Sequence, residues 1–554
     1  MSEKFKSIQH ECDVLVVGGG MAGFFAAWKA ASMKQRVIVV DKGTVGRSGF
    51  TPWANTFSVF DEALGDDANE WIKAVQSKGE YLVNLDYFHM QISDSLERYR
   101  QLQEWGIVDE REDWVKGSEI SAQKYLKGGD RRLIMPKVLK EAGVKLVERV
   151  MLTELIKMDN RVVGAVGFHM EEPVAHEFKC KTLVLCAGAG GYKNAGYPIH
   201  GSTFDGDAMA YHAGASISGK DFMDFHFTGD VHPWDVFAME EEVFVNKIYA
   251  TPGPIMGGPR IGIDPIFKVA ESAPPLNNFI DDANHEQSEN DPRGKGRSVL
   301  PLLPQGNIIM GSATGLGVHK SEGVWPVDNR CFSGVEGLYA AGDALASMIC
   351  GASYPTTGMG LSGSAVQGYR AGMAAAEDAE KTEKITEYQE NFQHAKERML
   401  APLKSEKGFS PRWLTQVLQS IMTPYYVLLV MEKSRLESAL TQVEYLRDTI
   451  ANRLKAKDNH ELRLVHEAKN LLLNAEMKLR ACLMREESRG NHYREDFPLR
   501  NDREWLSWVL ISKGEKGMVL TKRAVPENWR GDLQQEYGER YPLSFPGDIH
   551  MRRV

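Results

Sequence analysis

Apolar residues run unbroken from Val14 to Val17 and stop at three glycines. Small and apolar residues then continue from Met21 to Ala31, and Arg36 to Val40 (RVIVV) forms a second apolar run that ends at Asp41. Short apolar runs bounded by turn residues read as strands buried on both faces, and the stretch between them has the length of one helix. The pattern predicts a β-α-β unit of about 30 residues. From Asn69 to Gly106 charged and apolar positions mix as in helices, while Val144 to Val166 holds strand-like runs such as RVVGAV at Arg161. Thr182 to Cys186 predicts a strand that runs into Ala187-Gly188-Ala189-Gly190-Gly191. From Asp230 to Arg297 periodicity fades and Pro and Gly become frequent, as in TPGPIMGGPR, which predicts a small inserted domain rich in loops. A strand returns at Gly337 to Ala341.

Beyond about residue 375 the chain turns helical. Leu436, Leu440, Val443, Leu446 and Ile450 step by three or four, as do Leu464, Ala468, Leu471, Ala475, Leu479 and Cys482. The polar KAKDNHE between them predicts a turn, so the region reads as an antiparallel helical bundle whose stripes are core packing. The tail after about Arg500 is mixed and shows no clear pattern.

Composition narrows the function. The 554 residues are 43% hydrophobic and 25% charged, a globular balance. A net charge of −9 argues against a chain that coats nucleic acid or an anionic membrane. The six cysteines form no CxxC pair and match no zinc or iron–sulfur spacing, so they read as reduced thiols of a cytoplasmic protein with no metal site. The polar N-terminus is not a signal peptide, and no apolar run approaches the ~20 residues that span a bilayer.

Gly18-Gly19-Gly20-Met21-Ala22-Gly23 fits G-x-G-x-x-G between a predicted strand and a predicted helix. Gly18 allows the tight turn, Gly20 the approach of a pyrophosphate, and Gly23 close helix–strand packing. The helix N-terminus adds free N–H groups and partial positive charge. Asp41, at the end of the second strand, stands where a carboxylate meets ribose hydroxyls. Two later segments favour FAD over NAD: TLVLCAGAGG from Thr182, and Gly337 to Asp343 (GLYAAGD), a late strand whose Gly342-Asp343 end returns to the cofactor.

At these residues the chain resembles the flavoprotein subunits of succinate dehydrogenase and fumarate reductase, together with L-aspartate oxidase and the alpha subunit of adenylylsulfate reductase. The matching stretches are DVLVVGGGMAGFFAA, STFDGDAMAYHAGA, DFHFTG, GLYAAGDA and REESRGNHYREDFPLRND, in order from Asp13 to about Trp505. The resemblance implies an α/β fold: a Rossmann-like FAD-binding domain in two parts (1–232 and 319–376), an inserted capping domain (233–318), a C-terminal helical domain (377–500) and a tail (501–554). It implies cofactor contacts at Gly18, Gly20, Met21, Ala22, Gly23, Asp41, Lys42, Arg47, Ser48, Gly49, Ala187, Gly188, Asp205, Gly342, Asp343, Gly358 and Leu361.

The departures bear on substrate. Covalently flavinylated members carry a His after an Arg-Ser pair; here Gly49 follows Arg47-Ser48, which implies noncovalent FAD. The family's first dicarboxylate-site His is matched by His226, the second becomes Asn307, and the substrate-clamping Arg of Gly-Ala-Asn-Arg falls at Gly351-Ala352-Ser353-Tyr354, where no guanidinium fork is present. His226, Arg260 and Tyr354 are the catalytic candidates. Each has a structural alternative: a hydrogen-bonded His, a surface Arg, a wall of the pocket. Arg293 and Arg297 also compete for the proton-donor role. Cys350 is a conceivable reactive thiol but reads better as a small core residue. Trp53, Phe57, Trp234 and Phe237 suggest an apolar pocket.

The expected function is hydride transfer between flavin N5 and a small organic substrate, by C=C reduction or its reverse, with a substrate other than succinate or fumarate expected. A ferredoxin-like iron–sulfur subunit is the expected electron partner, with no nucleic acid and no direct membrane insertion. The alternatives are sulfur chemistry like that of adenylylsulfate reductase, and a non-catalytic flavin-binding protein.

Overall fold

The computed structural model describes residues 5–52, 54, 56–107, 115–118, 121–125, 128–192, 201–222, 228–229, 308–309, 322–353, 358–383, 389–422, 427 and 430–541. Nearly all of the expected inserted domain, with His226, Arg260, Arg293, Arg297, Asn307, Trp234 and Phe237, lies outside these residues, as do Trp53 and Tyr354.

The centre is a five-stranded parallel sheet in the order Leu338–Ala340, Thr182–Leu185, Val14–Val17, Val37–Asp41, Lys145–Glu148. Its three middle strands are buried at every residue, which is why they read as unbroken apolar runs and not as alternating ones. The strand Val14–Val17 lies between one neighbour that follows it directly in the chain and one that comes much later. Strand order therefore reverses beside it, and the crevice at the carboxyl ends is the place where such sheets bind ligands. The glycine loop, Asp41, Ala187 and Gly342 all follow carboxyl ends of these strands.

Two helices pack side by side on this sheet: α1 (Met21–Ser32) and α2 (Met359–Lys381). A Cβ on Gly368 would lie 2.2 Å from the carbonyl oxygen of Ala22, and one on Gly372 would lie 2.3 Å from that of Ala26. The two backbones therefore touch, and the helices run in the same direction.

A second, four-stranded sheet has Lys6–Glu11 beside Val174–Lys179, Arg161–His169 and Val150–Met158. The predicted helical region appears as Gln389–Leu400, Pro411–Met422, Lys433–Tyr445 and a long α3 (Asn459–Met484); of the KAKDNHE stretch, Lys455 to Asp458 precedes α3, while Asn459, His460 and Glu461 already form its first turn. The segment after Arg500, which lacked a pattern, forms a hairpin of Ser507–Gly514 and Gly517–Ala524 that pairs with Ile217–Ser218. Its outer strand is largely exposed, so it carries little of the alternation that marks a half-buried strand. Among the described residues no helix is long and apolar enough to cross a membrane.

The motif after α3 is a buried charge network. Arg485 donates to Asp221 at 2.5 Å and to Glu487 at 2.6 Å. Arg489 grips Glu487 through two N–H groups at 2.8 and 2.9 Å, and Arg500 grips Glu80 at 2.6 and 2.9 Å. All of these side chains but that of Asp221 are fully buried, and that of Asp221 is 1% exposed. Buried charges persist only when paired and fully hydrogen-bonded. Replacing Glu487 with Ala removes the carboxylate that two buried guanidinium groups share and leaves Arg485 with Asp221 and Arg489 with Asp502 as their remaining carboxylates, so chemical denaturation is expected to show a loss of about 3 kcal/mol.

Candidate functional site

The loop after Val17 is held from both sides. Gly18 adopts φ +105, a conformation that side chains rarely take, and donates its N–H to Val40 O at 2.7 Å. A Cβ on Gly23 would sit 1.8 Å from Gly18 O, so α1 begins in contact with the turn. The first intrahelical bond here runs from Phe24 N–H to Gly20 O at 2.9 Å. The amides of Met21, Ala22 and Gly23 precede it and point out of the helix end, and no side chain of the N-cap residue Gly20 covers them. Thr51 supplies a polar group there: its Oγ1 accepts the Met21 N–H at 2.9 Å and keeps its own hydrogen for another acceptor.

Asp41 shapes this loop from behind. One carboxylate oxygen accepts the Gly19 N–H at 2.6 Å; the other accepts the Gly43 N–H and the Ser48 hydroxyl, both at 2.6 Å. The carboxylate thus ties the glycine turn to the loop that carries Arg47, Ser48 and Gly49. Arg47 and Gly49 are exposed. A Cβ at Gly49 or at Gly188 would meet no heavy atom within 4 Å, so open space lies beside both.

The second helix end belongs to α2. Gly358 caps it without a side-chain bond, and the first helical bond runs from Ser362 N–H to Gly358 O at 3.1 Å. The amides of the first turn precede that bond and lie at the helix end. Because Ala22 lies against Gly368, α2 begins about eight residues ahead of α1. At 1.5 Å per residue its N-terminus projects about 12 Å past that of α1. Two partly positive helix ends thus stand in line, one beside the glycine turn and one farther along the crevice. Gly342 and Asp343 form a short turn on the same side.

Lys42 and Asp205, both expected at the cofactor, are brought together as an ion pair. The Lys42 ammonium donates to Asp205 at 2.7 Å, to Glu467 on α3 at 3.0 Å and to Thr203 at 3.0 Å, and Asn470 donates to Asp205 at 2.9 Å. Burial opposes charge on both groups, but their mutual attraction wins: the Lys42 pKa is raised and the Asp205 pKa lowered. Their charges join the FAD-domain segment to the helical domain. Phe57 is fully buried, beside Tyr99 and against the backbone of Gly358, so it stands behind the α2 terminus. Cys350 is fully buried.

Thr51, Gly368 and Gly372 were missed from the sequence. The two glycines four apart in a helical stretch were a legible signal of close helix packing; nothing local marked Thr51.

The arrangement fits FAD. The α1 end with Thr51 suits the pyrophosphate, the α2 end suits an electron-rich edge of the flavin ring, and the open space beside Gly49 and Gly188 leaves room for a bulky group. Removing the Thr51 hydroxyl in Thr51→Val is expected to cost about 1 kcal/mol, or roughly fivefold in FAD affinity by fluorescence titration, with the fold intact.

The comparisons agree with this geometry. The family model described as FAD binding domain matches residues 13–256, and the one described as fumarate reductase flavoprotein C-term matches residues 415–532. A chain of the fumarate reductase (CoM/CoB) of Methanothermobacter marburgensis is 26% identical, over 91% of this chain and 97% of its own. In fold, the chain is similar to the FrdA chain of E. coli quinol fumarate reductase, with a TM-score of 0.75 at 17% identity, covering 95% of this chain and 98% of that one. Adenylylsulfate reductase from Archaeoglobus fulgidus gives a TM-score of 0.72 at 20% identity, covering 95% and 97%. With both family models matched in order and the nucleotide crevice built as they require, the chain belongs to the succinate dehydrogenase/fumarate reductase flavoprotein family, as a divergent FAD-dependent oxidoreductase.

Proposed function

We propose that this protein transfers a hydride between FAD, held without a covalent bond, and a carbon of a small organic substrate other than succinate or fumarate. We further propose that it exchanges electrons with a separate iron–sulfur protein. The observation that carries the reading is the pair of staggered helix ends, which fits a two-part cofactor with phosphate at one end and a ring at the other. Bound FAD would supply a two-electron centre at N5 that accepts or donates hydride.

The chain's own residues do the rest. The first turn of α1 and the Thr51 hydroxyl would hold the pyrophosphate. The first turn of α2 would place N–H groups and the positive end of its dipole where a reduced ring carries negative charge, an electrostatic contribution made before the reaction starts. Gly49 supports the noncovalent reading, because glycine offers no side chain to bond to the ring.

Tyr354 follows a segment clamped from three sides. Ala352 donates its N–H to Gly79 O at 3.0 Å and accepts that of Asn491 at 3.0 Å, and Ser353 donates to Lys78 O at 2.7 Å. A rigid base supports a substrate-facing role for the next residue, and a phenol there can donate a proton. Arg260 is the second proton-donor candidate, and His226 the candidate substrate contact. The missing guanidinium at the Gly351–Tyr354 match is what argues against a dicarboxylate. The partner follows from chemistry: no cysteine spacing suits a cluster, so electrons must leave for another carrier.

Two measurements test this. The native protein should be yellow and release its flavin on acid precipitation; flavin that stays in the pellet would contradict the noncovalent reading. Under anaerobic conditions the flavin should be bleached by a saturated substrate or reoxidised by an enoate. Response to sulfite or adenylylsulfate alone would move the assignment to sulfur chemistry. Tyr354→Phe is expected to lower turnover by about 10²-fold with FAD affinity unchanged.

A further inference from the structure

Gln367 lies on α2, buried to 1% exposure, one residue before the glycine that touches Ala22. The parallel packing therefore sets it level with Met21, at the first turn of α1. Its side chain points neither to solvent nor into an apolar cluster. The amide oxygen accepts the Gly342 N–H at 3.2 Å, and the amide nitrogen donates to Ser347 Oγ at 2.9 Å. Its backbone carbonyl accepts the Cys331 thiol at 3.7 Å. Gly342 opens the Gly-Asp turn at the carboxyl end of Leu338–Ala340, and Ser347 lies farther along the segment that leads to Cys350. One side chain thus joins three parts of the crevice: the helix that touches α1, the Gly-Asp turn, and the strand exit beyond it.

The Gly342 amide is consequently occupied by protein. Held there, the Gly342–Ala344 turn is fixed at the carboxyl end of Leu338–Ala340. A glutamine suits this task because a single planar group offers one acceptor and one donor on opposite sides. An apolar replacement would leave the Gly342 N–H buried without a partner.

We propose that Gln367 is a positioning residue for the cofactor's pyrophosphate: it docks the Gly342-Asp343 turn beside the N-terminus of α1 so that both face one pair of phosphates. This rests on the reading of the crevice as an FAD site, which titration of the unaltered protein with FAD checks separately.

The experiment compares Gln367→Met, Gln367→Glu and the milder Ser347→Ala, each prepared without flavin. Affinities for FAD, ADP and adenosine are measured by titration and competition, and melting is followed without ligand. Gln367→Met should bind FAD and ADP at least tenfold more weakly, by the same factor, with adenosine binding changed less than twofold. Ser347→Ala, which frees the amide to turn, should show a smaller loss of the same kind. Gln367→Glu keeps an oxygen for the Gly342 N–H but adds negative charge beside the phosphates, so ADP should suffer and adenosine should not. If all three ligands weaken together, or if only the melting temperature falls while FAD and ADP keep their affinity, Gln367 is a packing residue and the proposal is wrong. Should Gln367→Met fail to fold, Ser347→Ala and Gln367→Glu decide by the same ADP-to-adenosine ratio.

Discussion

The closeness of two helix backbones is the constraint on which the site depends. Gly368 and Gly372 leave no room for a side chain against Ala22 and Ala26, so α1 and α2 lie in contact and in fixed register. Register between parallel helices is also register between their N-termini. The two sets of first-turn amides are therefore held a set distance apart by packing alone, before any ligand arrives. Interiors packed at crystal-like density transmit such a constraint with little slack. This kind of preorganisation lowers the cost of binding a long, flexible dinucleotide.

Elsewhere in the molecule, distant parts of the chain are joined by charge drawn largely out of water. Lys42, Asp205 and Glu467 join the first domain to α3. Lys220 bridges Asp207 and Glu322, and Lys478 of α3 reaches the same Glu322 at 2.6 Å, all within a region 0–1% exposed. Burial pushes the Asp207 pKa up and pulls the Lys478 pKa down, because the surroundings disfavour charge on both. Arg485, Arg489 and Arg500 complete a third junction with Glu487, Glu80 and Asp221. Ion pairs of this kind add little net stability over apolar packing, but they penalise any arrangement that leaves one partner alone. They suit joints that must be specific. The Cys350–Ser353 segment is held in a different way, by backbone bonds of Ala352 to Gly79 and Asn491.

Much of the architecture was legible along the chain. The runs at Val14, Val37 and Thr182 are apolar at every position because both faces are covered, and that pattern does not depend on distant residues. The glycine turn, the Asp41 carboxylate and the stripes of the helical domain were equally local signals. The hairpin at Ser507–Ala524 was not: its outer strand faces solvent, and its partner, Ile217–Ser218, lies almost 300 residues away. Lys42 and Asp205 show the same limit from the other side. Their positions beside cofactor motifs suggested ligand contacts, and nothing local announced that they pair with each other and that Lys42 also meets Glu467.

By itself the sequence determined what a short window can hold: strand, turn and helix in the order of a nucleotide fold, and a carboxylate at the strand's end. These follow from backbone sterics and burial, which act between near neighbours. Only the tertiary structure decided which amides the fold occupies. Thr51 meets Met21 across 30 residues and Gln367 meets Gly342 across 25, and a hydrogen bond between remote groups leaves no period or motif in the chain. Which polar groups are left for a ligand is set by which ones the fold has already paired, and that pairing exists only once the chain has closed on itself.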